Sequence, residues 1–127
     1  MPFVAPGEAR DLPFLDIDTL EAQAGPPPWR ICLVGTPGLR VLLLHWPAGI
    51  ATVPHSHPAA EEAFHVLRGR AGFTIGEEPE REVGPGSFML ALRGVRHRIR
   101  VLGDQPLMLM ATVAPNEDRP DETVEFE

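Results

Sequence analysis

The stretch PAGIATVPHSHPAAEEAFHVLRG, residues 47–69, decides how the rest of this chain is read. It sets His55 and His57 one residue apart and follows them with Glu62, and a third histidine, His97, stands later in GVRHRIRV. Residues i and i+2 of an extended strand point to the same face, so His55 and His57 can aim both imidazoles at one point. Pro54 and Pro58 bracket the pair, and because proline brings no N–H to a ladder, they predict a short or edge-like strand. AAEEAFHVL then resumes as a strand able to bring a glutamate back beside the histidines. Parity separates its two candidates. Glu62 shares a face with Phe64 and Val66, which suit an apolar pocket, whereas Glu61 as a ligand would turn His65 inward. The set His55, His57, Glu62 and His97 therefore reads as a four-ligand metal site.

The spacing Gly49, five residues, His55-x-His57, four residues, Glu62, six residues, Gly69 resembles the first motif of the cupins. Gly86, five residues, Leu92-x-Gly94, two residues and His97 resembles the second. The chain departs from the second motif at Leu92, where proline is usual, and at Val101, where asparagine is frequent. The resemblance spans residues 49–97. It implies an all-β fold, a double-stranded β-helix or jelly-roll barrel, with one divalent metal ion inside it on His55, His57, Glu62 and His97. It also implies a homodimer, because small cupins commonly pair through their sheets.

With 127 residues the chain has room for one domain and can bury a core without disulfides. The expected division is an N-terminal arm over about 1–28, a barrel over about 29–115 and an acidic tail over about 116–127. A formal net charge of −7 sets the long-range field against nucleic acid and anionic membranes, so neither is an expected partner. The one cysteine, Cys32, lies in the apolar run WRICLVG and reads as a small core residue rather than a reactive thiol. The N-terminus has no charged region followed by an apolar one, and no run approaches the length of a membrane span, so a cytoplasmic location is expected. All eleven basic residues are arginine and fifteen residues are proline, a usage that fits either heat adaptation or a GC-rich coding bias.

Short apolar or alternating runs recur between turn signals: WRICLVG, LRVLLLHW, FHVLRG, FTIG, VGPGSFMLAL, RHRIRVLG and LMLMATVAP. That cadence predicts antiparallel strands. EEPERE reads as an acidic loop, DIDTLEAQAG as one or two helical turns stopped by Gly25, and GPPPW as a stiff connector. Phe64, Phe73, Phe88, Met89, Met108 and Met110 are assigned to the core.

Three imidazoles and a carboxylate leave coordination positions open for substrate, water or dioxygen. The donor set suits Mn, Fe, Ni or Zn, with cellular availability favouring Mn or Fe. The chain has no tyrosine and no lysine, so a tyrosine base and Schiff-base chemistry are excluded. Glu62 and Glu61 are the candidate proton carriers, followed by His45 and His65. A metal-dependent dioxygenase acting on a small organic molecule is the leading expectation. A sugar or keto-acid isomerase and a non-catalytic metal or small-ligand module are the alternatives. Arg96, Arg98 and Arg100 alternate with His97 and are expected on the outer face, opposite the acidic tail from Glu117 to Glu127, while Arg93 is placed at the pocket mouth.

Overall fold

The structure, a computed structural model, describes residues 14–117 and 126–127. One helix, α1 (Ile17–Ala24), precedes eight strands: β1 (Trp29–Thr36), β2 (Leu39–Trp46), β3 (Glu61–Arg68), β4 (Arg70–Ile75), β5 (Arg81–Val83), β6 (Phe88–Ala91), β7 (His97–Leu102) and β8 (Leu107–Ala114). Asp16 caps α1 by accepting from the Thr19 amide at 3.2 Å, and Gly25, at φ 80°, ends it.

The strands form a five-stranded sheet in the order β1-β2-β8-β3-β6 and a three-stranded sheet in the order β5-β4-β7, every pairing antiparallel. This is the jelly-roll arrangement expected from the sequence. The chain passes between the sheets at Gly69, which sits at φ 87°. A Cβ there would lie 2.9 Å from Leu107 Cα and closer still to the Pro106 carbonyl. Only glycine satisfies both the left-handed backbone and that approach.

Two apolar layers follow from strand parity. Leu42, Leu44, Trp46, Phe64, Val66, Phe73, Ile99 and Leu109 fill the space between the sheets. On the outer face of the larger sheet, Trp29, Ile31, Leu33, Leu43 and Met108 form a second layer, packed against Ile17, Leu20 and Ala24 of α1. An Arg68–Glu21 ion pair fastens the helix to β3. Burial of this kind contributes roughly 25 cal/mol per Å² of apolar surface and is the main force holding the sheets together.

Three expectations are corrected. Residues 51–57 form no regular strand: they run beside β7 through isolated bridges, Ala51 with Arg100 and His55 with His97, because Pro54 and Pro58 cannot continue a ladder. The end of EEPERE belongs to a strand, since Arg81, Glu82 and Val83 pair with Phe73, Gly72 and Ala71. Phe88 is not core: it is 67% exposed and alternates with the buried Met89. Of the tail, Phe126 bridges Thr52 and packs edge-on against Trp46 at 5.3 Å, while residues 118–125 lie outside the described residues.

Candidate metal centre

Backbone pairing and strand parity bring the four side chains together. His55 faces His97 in antiparallel register, the His55 amide donating to the His97 carbonyl at 3.0 Å and the His97 amide to the His55 carbonyl at 2.8 Å. The rings are consequently 4.2 Å apart between centroids. The Gly94 amide donates to the His57 carbonyl at 2.9 Å, which ties the β6–β7 turn to the next histidine. Glu62 enters from the other sheet. On β3 it alternates inward with Phe64 and Val66, 6% exposed, whereas Glu61 and His65 are exposed on the opposite face.

One ligand atom from each of His55, His57, Glu62 and His97 lies within 4.8 Å of all the others. The ring tautomers explain why. His55 Nδ1 lies 3.0 Å from the Val53 carbonyl, His97 Nδ1 3.2 Å from the Val95 carbonyl, and His57 Nδ1 3.1 Å from Glu117 Oε2. Carbonyls and a carboxylate only accept, so each Nδ1 carries the hydrogen and each Nε2 presents a lone pair. His57 Nε2 and His97 Nε2 both sit 3.0 Å from Glu62 Oε1. Those contacts are not aligned as hydrogen bonds, and Glu62 Oε1 and His97 Nε2 are buried with no hydrogen-bond partner. Lone pairs pressed together away from water are costly, and a cation between them removes the cost. The 3.0 Å spacing also equals the edge between two adjacent ligands that each lie about 2.1 Å from a common ion. The residues therefore fit a divalent metal.

The local electrostatics agree. Burial pushes the Glu62 carboxyl up, and donors or positive charge at the His57 and His97 positions outweigh burial and hold it at about 2, a part that a cation takes over when both rings are neutral. Burial lowers the His55 pKa, which favours the neutral ring that a metal requires. Glu117 holds more than an imidazole: its second oxygen accepts from the Ala59 amide at 3.2 Å, bridging the end of the barrel to the loop behind His57.

Other candidate residues fall elsewhere. His45 lies on the outer face of β2, edge-on to Trp29 at 5.0 Å, and lines a surface hollow of about 490 Å³ remote from the cluster. A second hollow of about 490 Å³, between Ile75 and Glu80, contains none of the four ligands either. His55, His57 and Glu62 instead line a recess with room for about 30 Å³ of solvent. Arg93 is exposed in its turn and does not line that recess. Arg30 and Arg40 do, together with the apolar Leu42, Leu44 and Phe64. Sequence reasoning missed both arginines, although each shares the inward parity of its strand, Arg30 with Cys32 and Arg40 with Leu42. Arg98 and Arg100 point outward, pairing with Glu127 at 2.7 Å and Glu80 at 2.8 Å.

Known proteins share this fold. Residues 42–113 match the family model described as cupin domain. The chain is 34% identical over 85 residues to the dimethylsulfoniopropionate lyase DddQ of Ruegeria pomeroyi, a match over 62% of this chain and 41% of that protein. It thus spans about two-fifths of the length of that curated relative. The crystal structure of the same lyase superposes with a TM-score of 0.60 at 28% identity, over 69% of this chain and 47% of that one. BH2720 from Bacillus halodurans, at 24% identity, superposes with a TM-score of 0.74 over 94% of this chain and 92% of its own, a likeness of fold.

Proposed function

Since this chain belongs to the cupin domain family, we propose that it is a metal-dependent enzyme acting on a small organic molecule at the centre formed by His55, His57, Glu62 and His97. The observation that carries this reading is the tautomer pattern: three imidazoles have their Nδ1 hydrogens engaged, and the Nε2 atoms of His57 and His97 lie against one ionised carboxylate oxygen. When bound, a divalent ion at such a centre supplies Lewis acidity and, for Fe or Mn, a place to bring substrate and dioxygen together. The protein's own part is to hold ligands, exclude water and orient substrate. Leu42, Leu44 and Phe64 keep the wall beside the ligands apolar.

Oxygen-dependent cleavage is the leading reaction class. It asks least of the protein as a proton carrier, and the chain has no tyrosine or lysine, while Glu61 and His65 face away from the recess. The second reading is metal-assisted elimination or isomerisation without oxygen. It draws support from the relative named as a lyase and would require Glu62 to move the proton. Elemental analysis of the purified protein, followed by oxygen uptake over a panel of small enols, thiols and organic acids, tests the first reading. Turnover under argon would replace it with the second, and tight ligand binding without turnover would leave a binding module.

Self-association through the outer sheet belongs to the same proposal. Phe88, Leu90 and Leu92 project from the edge strand β6 and its following turn, and a second copy would cover them. A single Leu90→Glu change is expected to turn a dimer into a monomer in sedimentation velocity. The lone Cys32 packs against the core, consistent with a proposed cytoplasmic setting. Among the described residues no helix is long and apolar enough to cross a membrane.

A further inference from the structure

We infer that Phe126 is a positioning residue of the proposed metal centre: with Glu127 it covers the free edge of residues 51–57, so that seating of this pair and metal binding strengthen each other. The inference rests on the reading of His55, His57, Glu62 and His97 as that centre and adds a way of regulating it.

Two of the four proposed ligands, His55 and His57, stand on backbone that no regular strand secures. β7 holds one side of it. The Thr52 amide donates to the Ile99 carbonyl at 2.8 Å, the Val101 amide donates to the Ile50 carbonyl at 2.8 Å, and His55 and His97 exchange a further pair. Those bonds use the groups flanking Ala51, so in this antiparallel bridge the Ala51 carbonyl points away from β7. Ala51 is buried, and a buried carbonyl needs a donor. Glu127 supplies it: its amide donates to the Ala51 carbonyl at 2.8 Å, while Phe126 faces Thr52 in an antiparallel bridge.

Side-chain packing carries this hold toward the ligands. The Phe126 ring meets Trp46 edge-on with centroids 5.3 Å apart, and the buried Trp46 lines the recess alongside His55 and His57. The Glu127 carboxylate pairs with Arg98 at the surface and adds little. Past the two histidines, Glu117 holds the His57 ring and the Ala59 amide. His55 and His57 are thus gripped between Ala51 and Thr52 on one side and Ala59 on the other. A metal site needs its ligand atoms placed to within about 0.2 Å, and ordering a loosely paired segment costs conformational entropy. Seating Phe126 completes part of that ordering before an ion arrives. By linkage, the ion must favour the seated Phe126 by the same factor.

The test measures Zn(II) affinity of the full chain by chelator competition, with circular dichroism as the check on fold. Phe126→Ala is expected to weaken Zn(II) about tenfold, within the usual range of coupling between sites. Phe126→Leu keeps an apolar contact on Trp46 and should recover most of the loss. The visible spectrum of the Co(II)-loaded protein should change with Phe126→Ala and return toward the parent's with Phe126→Leu. A ring that serves stability alone would lower the thermal midpoint of the metal-free protein and leave affinity and spectrum as they are, which would overturn the inference. A measurement on the unaltered protein guards against variants that fail to fold: in amide hydrogen exchange followed by NMR, Zn(II) should slow the Glu127 amide more than the amides of β5. At a Zn(II) concentration that saturates only the parent, Glu62→Gln should show no such slowing. A Glu127 amide slowed no more than those of β5 would also overturn the inference. Failure of the metal centre itself shows separately, as an unaltered protein that takes up no Zn(II).

Discussion

Along β7, His97, Ile99 and Val101 turn into the barrel while Arg98 and Arg100 turn out, so a single short strand compares buried with exposed polarity. The inward His97 is 2% exposed, touches the ring of Phe64 at 5.4 Å and leaves its Nε2 without a hydrogen-bond partner. The outward arginines make well-aligned pairs with Glu127 and Glu80, at 2.7 to 2.9 Å, in contact with water. Polarity inside is unsatisfied and expensive, a cost that a bound ligand would relieve. Polarity outside is satisfied and cheap. Removing an inward group should therefore abolish a property, and removing an outward pair should only shade one.

The sharpest break in that comparison is expected at β3, where inward and outward carboxylates are adjacent. Glu62→Gln should lower metal affinity by at least tenfold, since it removes a proposed ligand charge, and even changes behind the ligands typically cost about 10 to 100-fold. Glu61→Gln should leave affinity within about twofold, as expected for an exposed group that contacts no ligand. Competition titration against a chromophoric chelator measures both. Equal losses would show that the two faces of the strand are not distinct in function.

A smaller effect, still on the inward side, is expected at Glu117. Of the three imidazoles, only His57 has its Nδ1 hydrogen held by a carboxylate rather than by a nearby carbonyl, and that carboxylate also accepts from Ala59. Glu117→Gln keeps the shape and one acceptor oxygen but loses the charge that raises the basicity of His57. Metal affinity should fall about 10 to 100-fold, with the isolated fold unchanged by circular dichroism. No loss in affinity would assign Glu117 to tethering the Ala59 loop alone.

Much of this is legible in the sequence because it depends on local periodicity. LRVLLLHW is β2 from end to end, and the two-residue period of AAEEAFHVL places Glu62 inside and Glu61 outside, as the structure does. Helix α1 is readable from Asp16 and Gly25, whose side chain and backbone act within one turn. What escapes depends on partners distant in sequence. Glu117 meets His57 across 60 residues, and no spacing rule encodes that. β5 is three residues long and exists only because β4 offers a free edge. Arg30 and Arg40 escape because a charge in an apolar strand reads as a solvated edge until the neighbouring strands show which face is enclosed. Phe88 fails in the opposite sense: an aromatic residue reads as core by its type, although its parity with Met89 points it outward.

The smallest effect belongs to the outward pairs. The Arg100 guanidinium beside Glu80 and the Arg98 guanidinium beside Glu127 hold both carboxyls below their ordinary value of 4.5. A carboxyl depressed in the folded state contributes stability above its unfolded pKa and loses it as pH falls through the folded one. The contribution is therefore complete at neutral pH and fades as the solution is acidified below about 4.5. These groups are exposed, so solvent and salt screen them. Replacing Arg98 and Arg100 together by glutamine should lower the thermal midpoint at pH 7 by no more than a few degrees. The difference from the parent should shrink in high salt and disappear in acid once both carboxyls are protonated, while metal content stays the same. Differential scanning calorimetry across pH, with elemental analysis of the same samples, would show it. Loss of metal from this double variant would mean that the outer face of β7 supports the position of His97, and the separation between its two faces would no longer hold.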